Sequence, residues 1–251
     1  MPRYFIEVSY NGTAFHGSQI QGDTPTVQYE LNKALSILLR RPVDTWGASR
    51  TDEGVHASCN FYHADMEEAL TPRHIYSLNA ILPASMSVNQ IYIPQKQDAN
   101  ARFDATMRQY RYRIYHRKNP FLFERAYHFP YQYDPEILKQ TAAILMEYTD
   151  FESFSKRNAQ TKTYNCTLSR SEWEQHGSEL HYVVWGNRFL RGMVRALVGT
   201  QLRVARGKHD LCAFRAIIES RDCNRVDFSV PGFGLYLEKV VYPEGLLLPV
   251  S

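Results

Sequence analysis

Apolar and polar positions alternate at the start of the chain, with Tyr4, Ile6, Val8 and Tyr10 set between Phe5, Glu7 and Ser9, which predicts a first strand ending at an Asn11-Gly12 turn. After a polar loop the period lengthens. Thr24 as N-cap and Pro25 at the first helical position open a helix whose apolar stripe is Val27, Leu31, Ala34, Leu35, Leu38 and Leu39. A weak strand through Val43, Thr45 and Trp46-Gly47 faces a cleaner one. In the latter, Val55, Ala57, Cys59 and Phe61 fall on one side, and His56, Ser58, Asn60 and Tyr62 on the other. The pair predicts a half-buried hairpin. A helix opening at Thr71-Pro72 carries Ile75, Leu78 and Leu82, and residues 88–93 read as a further strand. The order of this half is β-α-β-β-α-β.

The second half repeats the plan. Residues 108–116 form a strand, and Asp134-Pro135 caps a helix with the stripe Ile137, Leu138, Thr141, Ile144, Leu145 and Tyr148. Two strands at about 166–174 and 180–186 meet at a His176-Gly177 turn. A long helix over about 188–206 buries Leu190, Met193, Val194, Leu197 and Leu202, a shorter one covers about 211–220, and 235–242 is the last strand. The expected fold class is therefore α+β, as two ferredoxin-like halves with mixed or antiparallel sheets. The expected domains are residues 1–105, which carry the Asp52 turn, and 106–251. No residue-level repeat accompanies this duplication of pattern.

With 251 residues and 44% hydrophobic positions the chain buries a substantial core, so intrinsic disorder is excluded as a class. The net charge of +3 is too mild to identify a nucleic-acid partner without a local cluster. Four cysteines without C-x-x-C spacing fit a reducing cytosol. No apolar run has the length of a membrane span, and the N-terminus leads straight into a strand instead of a signal peptide, so a cytoplasmic protein is expected.

The most chemically loaded stretch is Ser49-Arg50-Thr51-Asp52-Glu53-Gly54-Val55-His56. Here a carboxylate flanked by an arginine and a hydroxyl stands on a tight turn at the end of a sheet, which is rigid support for a reactive group. Asp and Gly are also ordinary turn formers, so residue chemistry alone does not decide the matter. A second concentration lies at Arg102, Arg108, Arg111, Arg113 and Arg117 with Tyr110, Tyr112 and Tyr115. On a strand, Arg111 and Arg113 share one face and Tyr110 and Tyr112 the other. A third is the row Arg188, Arg191 and Arg195, spaced i, i+3 and i+7 opposite the apolar stripe of the long helix. Nine histidines lack metal-ligand spacing, and neither a zinc-deaminase signature nor a Gly-rich phosphate loop is present. The expectation is a reaction without metal or cofactor.

Arg50-Thr51-Asp52-x-Gly54-Val55-His56 resembles the signature of the TruA-type tRNA pseudouridine synthases. The resemblance extends over nearly the whole chain: Tyr10-Asn11-Gly12-Thr13 with Phe15 and Gly17, Thr26-Val27-Gln28, Ala101-Arg102-Phe103-x-Ala105-Thr106 and Tyr110-Arg111-Tyr112. It continues through Asp150-Phe151-x-Ser153-Phe154, Phe189-Leu190-x-x-Met193-Val194-Arg195 with Val198-Gly199, and Gly234-Leu235-Tyr236-Leu237. It implies isomerisation of uridine to pseudouridine in the anticodon stem-loop of tRNAs by a homodimer, in a cleft between the halves with Asp52 at its base. Tyr110 occupies the position of the family's active-site tyrosine, expected to stack on an extruded uracil, and Arg195 that of an arginine expected to meet the carboxylate and keep it ionised. Arg50, Arg111, Arg188 and Arg191 are expected on the RNA side, with Tyr112 in the core and His56 orienting the loop.

The route stays open: attack of Asp52 on C1′, addition to C6, or removal of a sugar proton to give a glycal, with Tyr110 or Asp52 as the final base at C5. The chain departs from the pattern at four places. Ser49 replaces the usual Gly, Glu53 an Ala, Asn11 an Asp, and Ser18 the Trp expected before Gln19. A catalytically silent RNA-binding or tRNA-chaperone module, and the same reaction on another RNA, are the rival readings.

Overall fold

The computed structural model describes residues 1–22, 24–157 and 161–251. Its chain packs into two units, residues 1–108 with 236–251, and residues 109–235. The first unit opens with β1 (Arg3–Tyr10), α1 (Val27–Leu39), β2 (Trp46–Gly47), β3 (His56–Asp65), α2 (Pro72–Ile81) and β4 (Met86–Pro94). β1 lies between β3 and β4 and is antiparallel to both, with Ile6 opposite Tyr62 and Ile91. A bulge between Val8 and Tyr10 steps the β1–β3 register from Asn60 to Ala57, just where the chain leaves the sheet for its first loop.

α1 starts two residues later than the sequence pattern suggests, with Thr26 as N-cap accepting from Tyr29 N at 3.3 Å. Thr24 is engaged elsewhere: its hydroxyl donates to Gln21 O at 2.7 Å and closes the preceding turn. At α2 the expected cap holds. Thr71 is the N-cap, its backbone N donates to His74 Nδ1 at 2.9 Å, and Pro72 takes the first helical position.

The hairpin differs from a half-buried one. β2 is two residues long, pairing Trp46 with His63 and Gly47 with Tyr62, and β3 is buried on both faces, with Asn60, Tyr62 and His63 as enclosed as Phe61. The polar residues among these tolerate burial because each is hydrogen-bonded. Asn60 donates to Tyr10 Oη and Ser49 O, Tyr62 to Ser18 O, and His63 Nδ1 accepts from Ala101 N.

The second unit contains most of β5 (Met107–Tyr115), then β6 (Tyr127–His128), α3 (Pro135–Leu145), β7 (Leu168–His176), β8 (Glu179–Gly186), α4 (Met193–Ala205) and α5 (Leu211–Glu219). Its strand order is β5-β8-β7, with β6 parallel to β5 and β7 antiparallel to β8. Asp134 caps α3 as its sequence predicts, accepting from Glu136 N and Ile137 N. α4 is shorter than predicted. Gly192, at φ 73 in the left-handed region, stands at its N-cap, so residues 188–192 are not helical, and Arg188 and Arg191 do not share a helix face with Arg195. The Lys156 stem packs against Gly192, within 3.1 Å of where a Cβ would stand.

The chain then returns to the first unit as β9 (Leu235–Val241) and β10 (Leu247–Pro249). β9 runs parallel to β3, with Tyr236 opposite His56, and β10 is antiparallel to β4, giving the first unit the order β10-β4-β1-β3-β9. Among the described residues no helix is long and apolar enough to cross a membrane.

Candidate active site

Asp52 stands in the loop between β2 and β3, and several backbone groups on either side of it are tied down. Ala48 N donates to Phe61 O at 2.7 Å, extending the hairpin ladder one step beyond β2. Ser18 grips the next stretch from the side: its N donates to Thr51 O at 3.0 Å, and its Oγ accepts from Thr51 N at 2.8 Å. On the far side Val55 N donates to Asp52 O at 3.2 Å, closing a tight turn in which Gly54 has φ 77.

Thr51, itself buried, shares a hydrogen bond of 2.9 Å with the Tyr10 hydroxyl, which also accepts from Asn60 Nδ2 at 3.2 Å. Burial pushes the Tyr10 phenol up to about 12, so it stays a neutral structural bridge at any physiological pH. Tyr10, Ser18 and Asn60 are therefore the clamp of the Asp52 loop. In the sequence Tyr10 figures only as a strand residue and in a resemblance block, Ser18 only as a departure from the pattern and Asn60 only as a polar residue inside a strand, and nothing there ties the three to the Asp52 loop.

Behind the turn, His56 Nδ1 accepts from Gly12 N at 3.1 Å while its ring stacks on Tyr236, with centroids 4.5 Å apart. His56 is a buried residue of β3. Gly12 is required here for closeness. A Cβ on it would lie 2.1 Å from Val55 O, and Asn11 caps a short 3-10 turn by accepting from Thr13 N. Arg50 is exposed, and Asp52 is half-buried. Glu53 points outward, 73% exposed, with its Oε1 3.3 Å from His16 Nδ1.

The other expected site residues belong to the second unit. Tyr110 is a buried residue of β5 whose ring meets Phe189 edge to face at 5.1 Å. Tyr112, two residues on, is wholly buried and donates to Pro231 O at 2.8 Å, as a core residue should. Arg111 lies in a charged cluster on the opposite side of the strand, with its Nη1 3.3 Å from Glu174 Oε2 and 3.2 Å from His181 Nδ1. His181 stacks on His176 at 4.4 Å, and burial lowers its pKa. Arg195 sits in the first turn of α4 and donates to Val230 O at 2.8 Å and Phe228 O at 3.3 Å. Arg188 donates to Thr161 Oγ1 at 3.0 Å, and Arg191 is exposed, with its carbonyl accepting from Lys156 N. Among the described residues no group of three or more His, Cys, Asp and Glu is placed to hold a metal ion.

Asp52 is thus a half-buried carboxylate on a loop fixed from three directions, two residues from the exposed Arg50, and a carboxylate braced in this way is chemically suited to act as a nucleophile or base. Comparison with known proteins identifies the family. Residues 148–243 match the family model described as tRNA pseudouridine synthase. Proteins named tRNA pseudouridine synthase A from Parabacteroides distasonis and Bacteroides thetaiotaomicron are 43% and 44% identical to the chain. The alignments cover 98% of this chain in both cases, and 98% and 93% of those proteins. A protein of the same name from Bacillus subtilis is 34% identical over 94% of this chain and 97% of its own.

Proposed function

The chain belongs to the tRNA pseudouridine synthase family, and from that premise we propose that it isomerises uridine to pseudouridine in the anticodon stem-loop of tRNA, with Asp52 as the nucleophile. The observation that carries the assignment of Asp52 is the clamp: Tyr10, Ser18 and Asn60 immobilise a loop whose only acidic residues are Asp52 and the outward Glu53. The reaction breaks the C1′–N1 bond, turns the base and joins C1′ to C5. N1 gains a proton and C5 loses one, so the product is an isomer and no redox equivalent or transferred group enters.

Each residue receives a role towards the bound nucleotide. Asp52 in its ionised form starts the reaction, by attack on C1′, by addition to C6 or by proton removal from the sugar. Tyr110 stacks on the flipped uracil, and either it or Asp52 takes the C5 proton. Arg195 keeps Asp52 charged, and Arg50, Arg111, Arg188 and Arg191 meet phosphates. We further read both units as variants of the split β-α-β plan, and the protein as a cytoplasmic homodimer acting without metal or cofactor. The cysteines, all free thiols, support the first part of that setting.

The test is release of tritium from C5 of uridine in an anticodon stem-loop or whole tRNA. Wild type is expected to release it. Asp52→Asn, equal in volume and without a nucleophilic charge, should be slower by about 10⁴-fold or more. Near wild-type release by Asp52→Asn would overturn the assignment.

A further inference from the structure

Two of the four departures from the family pattern, Ser18 and Ser49, line one and the same pocket in the first unit. Its volume is about 170 Å³, comparable with the roughly 150 Å³ cavity that takes up one benzene-sized ring. Five separate segments build it: the loop after β1, α1 through Gln28, the β2 strand with the start of the Asp52 loop, β3 through Tyr62, and the loop after β4. Arg50 is part of the wall, so the pocket adjoins the loop that carries Asp52.

Three features of this wall suit a flat heteroaromatic ligand. Trp46 is 53% exposed although its indole is stacked on His63 at 5.5 Å and 25°. Phe103 is 79% exposed, with the Arg102 guanidinium carbon 5.6 Å from its ring centroid. Each ring is thus held from one side and left accessible, the arrangement of a stacking platform. The Ser49 Oγ is buried and has no hydrogen-bond partner among the described residues, which is costly for a hydroxyl unless a ligand supplies one. Arg50 and Arg102 supply positive charge at the rim for a phosphodiester.

We propose that this pocket takes one unstacked nucleobase of the RNA, a strand neighbour of the reacting uridine, which stacks on Trp46 or Phe103 and hydrogen-bonds the Ser49 hydroxyl. The proposal rests on the isomerase reading for the identity of the strand and adds a base-recognition site to it. Ser18, where the pattern has a Trp, leaves the room, and the Ser49 hydroxyl, where the pattern has a Gly, gives the pocket a preference among bases. A ring stacked on a backed aromatic loses little freedom, so the contact serves to register the strand before the uridine reaches Asp52.

The experiment is a thermodynamic cycle. Anticodon stem-loops are tested for binding, and the tightest is remade with a single abasic site at each loop and junction nucleotide. Equilibrium binding is measured for wild type, Trp46→Ala, Phe103→Ala and Ser49→Ala. One abasic position should weaken wild-type binding about tenfold, within the range of one base–aromatic stack, and cost the Trp46 or Phe103 variant almost nothing further. Ser49→Ala should flatten the differences among the four bases at that position. Losses that add at every position, or ring variants that bind as wild type does, would overturn the proposal. Tritium release by the same wild-type preparation reports the isomerase reading separately. Release with additive losses overturns the pocket alone, and coupled losses without release uphold the pocket and overturn the reading.

Discussion

Replacing Tyr10 by Phe keeps the ring in its place and deletes the oxygen that joins Thr51 to Asn60. Because those partners are buried, the loss should cost about 1–3 kcal/mol in a urea titration, and turnover should fall while tRNA affinity changes little, since the Asp52 loop loses its brace and no contact to RNA. His63 makes a prediction about pH. Burial and then the Arg3 charge push it down from its ordinary 6.5 to about 4, with Asp65 and the Trp46 backbone pulling the other way. The neutral ring is the one that fits, because Nδ1 accepts from Ala101 N. Between those two values the unfolded chain binds the extra proton, so His63 contributes stability above pH 6.5 that is lost as pH falls towards 4. Wild type should lose melting temperature over that window more steeply than His63→Gln. An equal slope would remove His63 from the account. Asp52 could be singled out in the sequence because the block around it resembles a family signature, which residue chemistry alone could not have established. Its clamp could not, because Tyr10, Ser18 and Asn60 become partners only through a bulge, a loop and a strand register.

At the scale of elements, the helices and long strands follow from apolar period and caps, as Thr71-Pro72 and Asp134-Pro135 show. The boundaries that escaped have local causes. Thr24 spends its hydroxyl on Gln21, and Gly192 in the left-handed region starts α4 later than the apolar stripe begins. Gly192→Ala should therefore cost about 1 kcal/mol or more, read as a lower melting temperature, since its new methyl also meets the Lys156 stem. Arg195 rides on that same first turn. If it holds Asp52 ionised, Arg195→Gln should move the acid limb of the rate profile to higher pH and leave the alkaline limb alone. A uniformly lower rate with an unmoved acid limb would assign it a role other than that one. β3 was read as alternating, but it is buried on both sides, with Asn60 and Tyr62 donating hydrogen bonds and His63 accepting one in place of solvent.

At the scale of the whole molecule, the first unit is discontinuous: its sheet includes β9 and β10, which follow the entire second unit in the chain. Pattern reading located the last strand but had no means of assigning it to the first half, because partner choice between strands is not written in either one's periodicity. A chain ending at residue 234 lacks Tyr236, hence the ring that stacks on His56, and the strand that pairs with β3. Such a chain is expected to lose cooperative unfolding of residues 1–108 and to release no tritium. A truncated protein with the melting curve of the full one would show that β9 is dispensable.

The same discontinuity sets an order of events on the ribosome. Domains emerging from the exit tunnel ordinarily fold N-terminal first, but here the strand that backs the Asp52 loop is translated after all of residues 109–235. The nascent first unit waits with an open sheet edge beside β3. The loop acquires its full support only after residues 109–235 have been made, so until then the polypeptide carries the Asp52 loop with its Tyr10, Ser18 and Asn60 clamp but without the strand behind it.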